Sequence, residues 1–399
     1  MPPFIPAYQS LGLRSGWKFR RHEAPFPLSH HRIRTYYLGR NAVYHGAKAL
    51  GLAPGDEVLF PSYHSGTESA PLFHLGCRLK FYGVSRGLEI DLAEIEAKIS
   101  PATRAIYAIH FIGFPAPIEA LRQLADRHGL PLIEDVALGL LGKIGGRPLG
   151  TWGDISIFCL YKTLPVAAGG VLAINRPDVP LPPAATKTNF YSEANLTAKH
   201  VLNDLELNGG RAGRWLRRHL HVAGKSAVRA ARAEVRHPDS LDFNPDLLDW
   251  QIGPITRSLL RFFDYESIVE RRRANYEWLV TALAGESVRL VRPTLPEGAS
   301  PLFLPILVED KFGTVARLNA EGIEAIPFWG IHHAHLMSGE FPDTEFLVNH
   351  AIEIPIHQSV SLIHLRRIRD AIVQWACWEA APEGAAAEVS PGRFVERST

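Results

Sequence analysis

The stretch LPLIEDVALGLLG (130–142), followed by ISIFCLYKTLPVAAGGVLAIN (155–175), decides how the chain is read. Leu132-Ile133 is a short apolar strand that ends on two acids, Glu134-Asp135. Ile155 to Leu160 and Gly170 to Ile174 are further apolar, β-branched runs, and a lysine, Lys162, closes the first of them. Runs this short and this apolar, bounded by glycines, read as strands buried on both faces. Working outward, the spacing predicts helices over Ala42–Leu50 and Gly66–Leu75 and strands over Val58–Phe60 and Leu79–Val84. Asp91-Leu92-Ala93-Glu94 resembles a capping box opening a helix to Ile99. Arg104–Phe111 is a strong buried strand, and Pro117–His128 carries Ile118, Leu121, Leu124 and Ala125 on one helical face. Strands alternating with helices predict an α/β layer with a mostly parallel sheet covered on both faces.

At Pro177 the pattern breaks, because the prolines of PDVPLPPAA cannot sit in a helix or a central strand. Residues 195–236 read as a basic helical segment and Tyr265–Leu283 as an amphipathic helix. Short strands at Val288–Val291 and Leu302–Val308, with helices at Phe312–Glu321 and Ile363–Trp378, predict a smaller α+β unit. The expected organisation is an N-terminal arm (1–30), a large domain (31–245), a small C-terminal domain (246–380) and a disordered tail (381–399).

Composition narrows the function. The 399 residues are 46% hydrophobic and 21% charged, which is a globular balance rather than a disordered one. The net charge of +2 does not announce a nucleic-acid binder. Cys77, Cys159 and Cys377 are too few and too far apart for a disulfide framework or a structural zinc site, so a reducing, cytoplasmic setting is expected. The N-terminus lacks the pattern of a signal peptide, and no apolar run is long enough to span a bilayer.

Three places can carry chemistry. Gly39-Arg40-Asn41 precedes a helix whose free N–H groups and dipole attract anions. Asp135 stands at the carboxyl end of a buried strand, where α/β sheets bind ligands. Lys162 ends another, where a neutral amine can serve as a Schiff-base nucleophile. Each has a bland alternative: an ordinary helix start, a loop cap, a lysine with its head in solvent. An anion cradle, an aspartate, and a lysine 27 residues after it are what pyridoxal 5′-phosphate needs for its phosphate, its pyridine nitrogen and its aldehyde.

The chain also resembles the DegT/DnrJ/EryC1/StrS sugar aminotransferases, a branch of the fold-type I enzymes that use pyridoxal 5′-phosphate. The matching stretches are GRNAVYHGAKALGLAPGDEVLFPSYHSGT (39–67), ISPATRAIYAIHFIGFPAPIEAL (99–121), HGLPLIEDVALGLLG (128–142), RPLGTWGDISIF (147–158) and LYKTLPVAAGGVLAIN (160–175). YESIVERRRANYEWL (265–279), GIEAIPFW (322–329) and AIEIPIH (351–357) match more loosely. The resemblance implies that Lys162 forms the imine with the cofactor, Asp135 pairs with the pyridine nitrogen, and Arg40 and Asn41 supply phosphate contacts largely through the backbone. It places Tyr63 or His64 against the cofactor ring. It further implies a homodimer, an amino-acid donor such as glutamate, and an acceptor that is a keto sugar on a nucleoside diphosphate. Two positions depart: Leu138 stands where the family commonly has Gln, and Cys159, or Ser156 in a shifted alignment, where it has a phosphate-binding Ser.

Other polar features fit around this reading. Between Arg211 and Arg236 eight Lys and Arg residues face only Glu234, either a solvated face or a contact for a diphosphate or an acidic surface. His332, His333 and His335 do not have the usual zinc spacing, and with Trp329 they are expected near substrate rather than metal. His110 is expected either under the cofactor or in the core. Transamination asks least of these residues, since a returning lysine and a protonated pyridine suffice for the proton shift. Elimination or carbon–carbon bond formation on the same fold would need a further acid, for which His64, His110 and the His332–His335 cluster are candidates. A non-catalytic regulatory relative is the remaining alternative, against which Lys162 argues.

Overall fold

The structure is a computed structural model that describes residues 3–12, 23–210, 212, 213, 215, 216, 243–330, 333 and 335–378. The expected basic segment beyond residue 216 and the expected tail after Ala380 lie outside the described residues.

A seven-stranded sheet organises the first half of the chain, in the order β1-β9-β8-β5-β4-β2-β3. Its strands are β1 (Ile33–Tyr36), β2 (Glu57–Pro61), β3 (Arg78–Tyr82), β4 (Thr103–Ile109), β5 (Leu132–Asp135), β8 (Ile155–Cys159) and β9 (Gly170–Ile174), while β6 (Lys143–Ile144) and β7 (Arg147–Pro148) pair with each other as a separate hairpin. β3, β2, β4, β5 and β8 pair in parallel, while β9 runs antiparallel to both β8 and β1. The sheet is therefore mostly parallel, as the alternation of strands and helices predicts, with β9 alone reversed. The edge strand β1 went unpredicted, because IRTY alone carries too few apolar residues to signal a strand.

Helix α1 (Gly39–Ala49) lies against β8 and β9. Gly46 permits that approach, since a Cβ there would meet Ile155 Cδ1 at 2.6 Å and Leu172 Cδ1 at 2.9 Å. The expected helix from Gly66 shrinks to α2 (Ala70–His74). Gly66 sits at φ +87°, and the Glu68 carboxylate accepts from the Ser65 amide at 2.8 Å, so this turn is not helical. Asp91 caps α3 (Leu92–Lys98) by accepting from the Ala93 amide at 2.8 Å. Glu94 does not complete the capping box but accepts from the Gly83 amide at 3.0 and 3.1 Å, tying α3 to the end of β3. Helix α4 (Ile118–Arg127) buries the four apolar residues expected of it.

The last third forms a four-stranded antiparallel sheet, β10-β11-β13-β12, from β10 (Arg289–Leu290), β11 (Phe303–Leu307), β12 (Ile326–Pro327) and β13 (Ala351–Pro355). Helices Tyr265–Ala282, Lys311–Ala320 and Leu362–Trp375 accompany it. The proline stretch from 177 to 185 has no helix or strand, and Arg34 Nε donates to the Pro182 carbonyl at 2.6 Å to pin it beside β1. Ile5 bridges to Ile323, so the N-terminal arm docks beside the smaller sheet. Among the described residues no helix is long and apolar enough to cross a membrane.

Candidate functional site

A cavity of about 920 Å³ opens where the carboxyl ends of the parallel strands, the start of α1, the N-terminal arm and the smaller sheet's loops meet. Its wall includes Gly39, Arg40, Asp135, Leu138, Cys159 and Lys162. Three separate strand ends and a helix start, 123 residues apart in sequence from Gly39 to Lys162, thus converge on one space.

The period-two alternation of β5 sorts its two acids. Glu134 turns away from the cavity and is wholly buried. Its carboxylate accepts from the amides of Gly150 (2.5 Å), Trp152 (2.9 Å) and Gly153 (2.7 Å) and pairs with His110 Nε2 at 3.0 Å. Asp135 faces the cavity. Its Oδ2 accepts from the Tyr107 hydroxyl at 2.5 Å and its Oδ1 from the Ala137 amide at 2.8 Å. Burial pushes the Asp135 carboxyl up to about 6, against the pull of the Tyr107 hydrogen bond. A buried carboxyl whose ionised form is this disfavoured suits a cationic partner.

Lys162 sits half-buried in the single-turn helix α5 (Leu160–Thr163) that follows β8. Cys159, the last residue of β8, is buried beside it; burial raises its thiol pKa, and it accepts a hydrogen bond from the Gly39 backbone. A Cβ on Gly39 would stand 3.0 Å from Cys159 Sγ, so a side chain there would crowd the helix start. No side chain caps α1, and Arg40 is buried at its first turn on the cavity wall. Uncapped amides, a buried arginine, a buried acid and a lysine fit pyridoxal 5′-phosphate by the chemistry of the donor set.

Several expected residues lie elsewhere. Tyr63 is fully buried and does not line the cavity; its hydroxyl donates to the Phe328 carbonyl at 2.7 Å and its ring packs 5.0 Å from Trp329. His64 is also off the wall, its ring stacked between Phe81 and His333 at centroid distances of 5.8 and 4.1 Å. Neither lies where a ring on the cavity side could stack on it; the turn at Gly66 directs both inward. Burial holds the His64 imidazole down to about 3. His110 fills the core, where its pairing with Glu134 and its acceptance from the Ala116 amide at 3.0 Å fix a loop. The Asn41 side chain donates to the Leu247 carbonyl at 2.5 Å rather than entering the cavity. Ser156 points away, donating to the Gly150 carbonyl at 2.5 Å, so it cannot replace Cys159 at the wall. Trp329 and His333 do line the cavity, and His332 lies outside the described residues. Trp329 holds φ +40°, a left-handed backbone that costs an indole-bearing residue energy.

The wall also holds residues the sequence did not single out: Tyr8 of the arm, Ser65, Thr67 and Glu68 of the Gly66 turn, Tyr161, and Lys199, His200 and Asn203 of helix α6 (Phe190–Asn208). Burial opposes a charge on Glu68, but hydrogen bonds from the Ser65 hydroxyl and amide hold its carboxyl below the usual range. Tyr107 had a faint signal, a hydroxyl-bearing aromatic inside an otherwise apolar strand.

Residues 35–180 match the sequence profile of the DegT/DnrJ/EryC1/StrS aminotransferase family. The chain is 26% identical over 345 residues to the UDP-N-acetyl-3-dehydro-alpha-D-glucosamine 3-aminotransferase of Acidithiobacillus ferrooxidans, covering 84% of this chain and 81% of that protein. It is 32% identical over 144 residues to the GDP-perosamine synthase of Vibrio cholerae, covering 35% of this chain and 39% of that protein. In three dimensions it is similar to the putative sugar aminotransferase Spr1654 of Streptococcus pneumoniae in its PMP form, with a TM-score of 0.63, 16% identity, and coverage of 93% of this chain and 97% of that one.

Proposed function

We propose that the chain is a pyridoxal 5′-phosphate-dependent aminotransferase of the DegT/DnrJ/EryC1/StrS family and that it passes an amino group from an amino acid to a keto sugar carried on a nucleoside diphosphate. The observation that carries this reading is the convergence of Lys162, Asp135 and the start of α1 on one cavity. The keto-sugar acceptor rests on the named activities of the Acidithiobacillus and Vibrio relatives.

Bound pyridoxal 5′-phosphate supplies an aldehyde carbon that takes up nitrogen and a protonated ring that draws electrons from it. Lys162 would hold the aldehyde of the bound group through Nζ and would move a proton as general base and acid. Asp135, held by Tyr107 and Ala137, keeps the ring nitrogen protonated through a buried ion pair that also favours its own ionised form. The first-turn amides of α1 and Arg40 hold the phosphate. Cys159 and Leu138 line the same cavity, and the thiol, a weaker donor than a hydroxyl, would leave phosphate binding to the backbone. Lys199, His200, Trp329 and His333, which also line the cavity, would meet the acceptor. The reading includes a homodimer, and a reducing cytoplasmic setting for which the free thiols of Cys77, Cys159 and Cys377 are the support.

Incubation of the cofactor-loaded protein with glutamate, glutamine and other donors tests the reading without a known acceptor. Conversion of the cofactor to its amino form with one equivalent of keto acid supports it, and a nucleotide-linked keto sugar then restores the aldehyde. If substrates are eliminated or condensed with no nitrogen transferred, transamination is refuted.

A further inference from the structure

A four-residue helix such as α5 cannot hold its own shape in water, so something else must fix the turn that carries Lys162. Its outward carbonyls go to three side chains from distant segments. Gln9 Nε2 donates to the carbonyls of Tyr161 and Leu164, both at 2.7 Å. The Thr163 carbonyl accepts from Gln358 Nε2 at 3.2 Å and from Arg272 Nη2 at 3.3 Å. Gln9, Arg272 and Gln358 are at most 2% exposed.

Arg272 joins the set together. Its Nε donates to Gln358 Oε1 at 2.9 Å and its Nη2 also to Gln9 Oε1 at 3.0 Å. Its Nη1 donates to the carbonyls of Leu302 and Pro301, at 3.0 and 3.4 Å, at the start of the smaller sheet. All five guanidinium donors thus meet oxygens, and none of those oxygens belongs to a carboxylate. Burial drops the guanidinium to about 9, the mark of a charge held by dipoles alone. For packing, a methionine or leucine would be cheaper than a buried unpaired cation. The planar five-donor fork does what an apolar side chain cannot: it binds the arm, the lysine turn and the smaller sheet in one geometry.

We propose that Gln9, Arg272 and Gln358 are positioning residues for Lys162, fixing the α5 turn so that the amine enters the cavity in one orientation. The proposal rests on Lys162 being the reactive lysine, and it assigns a task to the arm that the reaction itself leaves unexplained.

The test compares wild type with Gln9→Leu, Gln358→Leu, Arg272→Met and the conservative Arg272→Lys. Gln9 lies ahead of the first strand and belongs to neither sheet. In cofactor-free protein, reductive methylation is followed by peptide mass spectrometry at Lys162, with the exposed Lys199 of helix α6 as internal control. In loaded protein, the pH midpoint of the cofactor's absorbance is read. Loss of the three side-chain hydrogen bonds of Gln9 predicts a change of about tenfold in Lys162 labelling at an unchanged Lys199 rate, and a midpoint moved by about half a unit or more, in Gln9→Leu. Arg272→Lys restores part of what Arg272→Met loses. A folded Gln9→Leu or Gln358→Leu protein with wild-type labelling and midpoint overturns the proposal, even if Arg272→Met does not fold. Should wild type not link its cofactor to Lys162, the functional reading fails, and the labelling arm still decides whether the cluster orders the turn.

Discussion

The Tyr107 hydroxyl donates to Asp135 Oδ2 at 2.5 Å, joining adjacent parallel strands at the floor of the cavity. The hydrogen bond stabilises the ionised carboxylate and opposes the burial that favours the neutral acid. Tyr107→Phe keeps the ring contact with Phe60, whose centroid is 4.5 Å away, and removes only the donor. The expected result is a kcat/KM lower by about tenfold, since a hydrogen bond to a charged group contributes about 1.5 kcal/mol. Looser cofactor retention accompanies it. Steady-state kinetics and cofactor dissociation rates check both, and unchanged values in the variant rule the pair out of the chemistry.

Asp135 also makes stability depend on pH. Its carboxyl keeps its proton up to about pH 6 when folded, against 3.8 ordinarily. The folded state therefore binds more protons between those values, and stability falls as pH rises through that window. Asp135→Asn removes this loss. In cofactor-free protein its stability relative to wild type should grow by about 2–3 kcal/mol between pH 4 and 7. Thermal unfolding across that range measures it, and a flat difference contradicts the burial argument. The same variant should lose most transamination.

Histidine acts in the opposite direction. His357 Nε2 donates to the Pro6 carbonyl at 2.9 Å, and burial holds the imidazole down to about 3 from 6.5. The unfolded chain takes up a proton below 6.5 that the folded chain refuses, so stability is complete above 6.5 and lost as pH falls. For His357→Gln, the loss between pH 6.5 and 4 should shrink by roughly 3 kcal/mol. Denaturant titrations at the two pH values provide the measurement, and equal losses in variant and wild type disprove it.

Borohydride reduction of loaded protein should leave the pyridoxyl group on the peptide containing Lys162. Lys162→Ala should bind cofactor without forming that bond and transfer no nitrogen. An adduct on Lys199, the other lysine of the cavity wall, would displace Lys162 from its role.

Leu138 and Cys159 both reach the cavity wall, so both are open to test. Cys159→Ser should tighten cofactor retention several-fold, about 1 kcal/mol for one better hydrogen bond. Leu138→Gln should alter the absorbance of the bound cofactor. Identical dissociation rates and spectra would mean that neither side chain meets the cofactor.

The sequence alone determined what depends on near neighbours in the chain. Apolar runs such as Ile155–Cys159 had to become buried strands, Asp91 had to cap α3, and the alternation of strand and helix forced a mostly parallel sheet. Asp135 was legible because it ends such a strand and Lys162 because it stands in the turn directly after one, and strand ends are where parallel sheets keep their ligands. What remained needed contacts between distant segments. Glu134 and Asp135 are alike in the sequence, and pleat direction alone sends one to a loop and the other to the cavity. Tyr63 and His64 were expected at the ring, but Gly66 and the Glu68 carboxylate turn the chain so that both point into packing. Tyr107 meets Asp135 across 28 residues and Arg272 meets Gln9 across 263. A hydrogen bond closes such a span only after distant segments have come together and the loop entropy has been lost, and no local pattern records it.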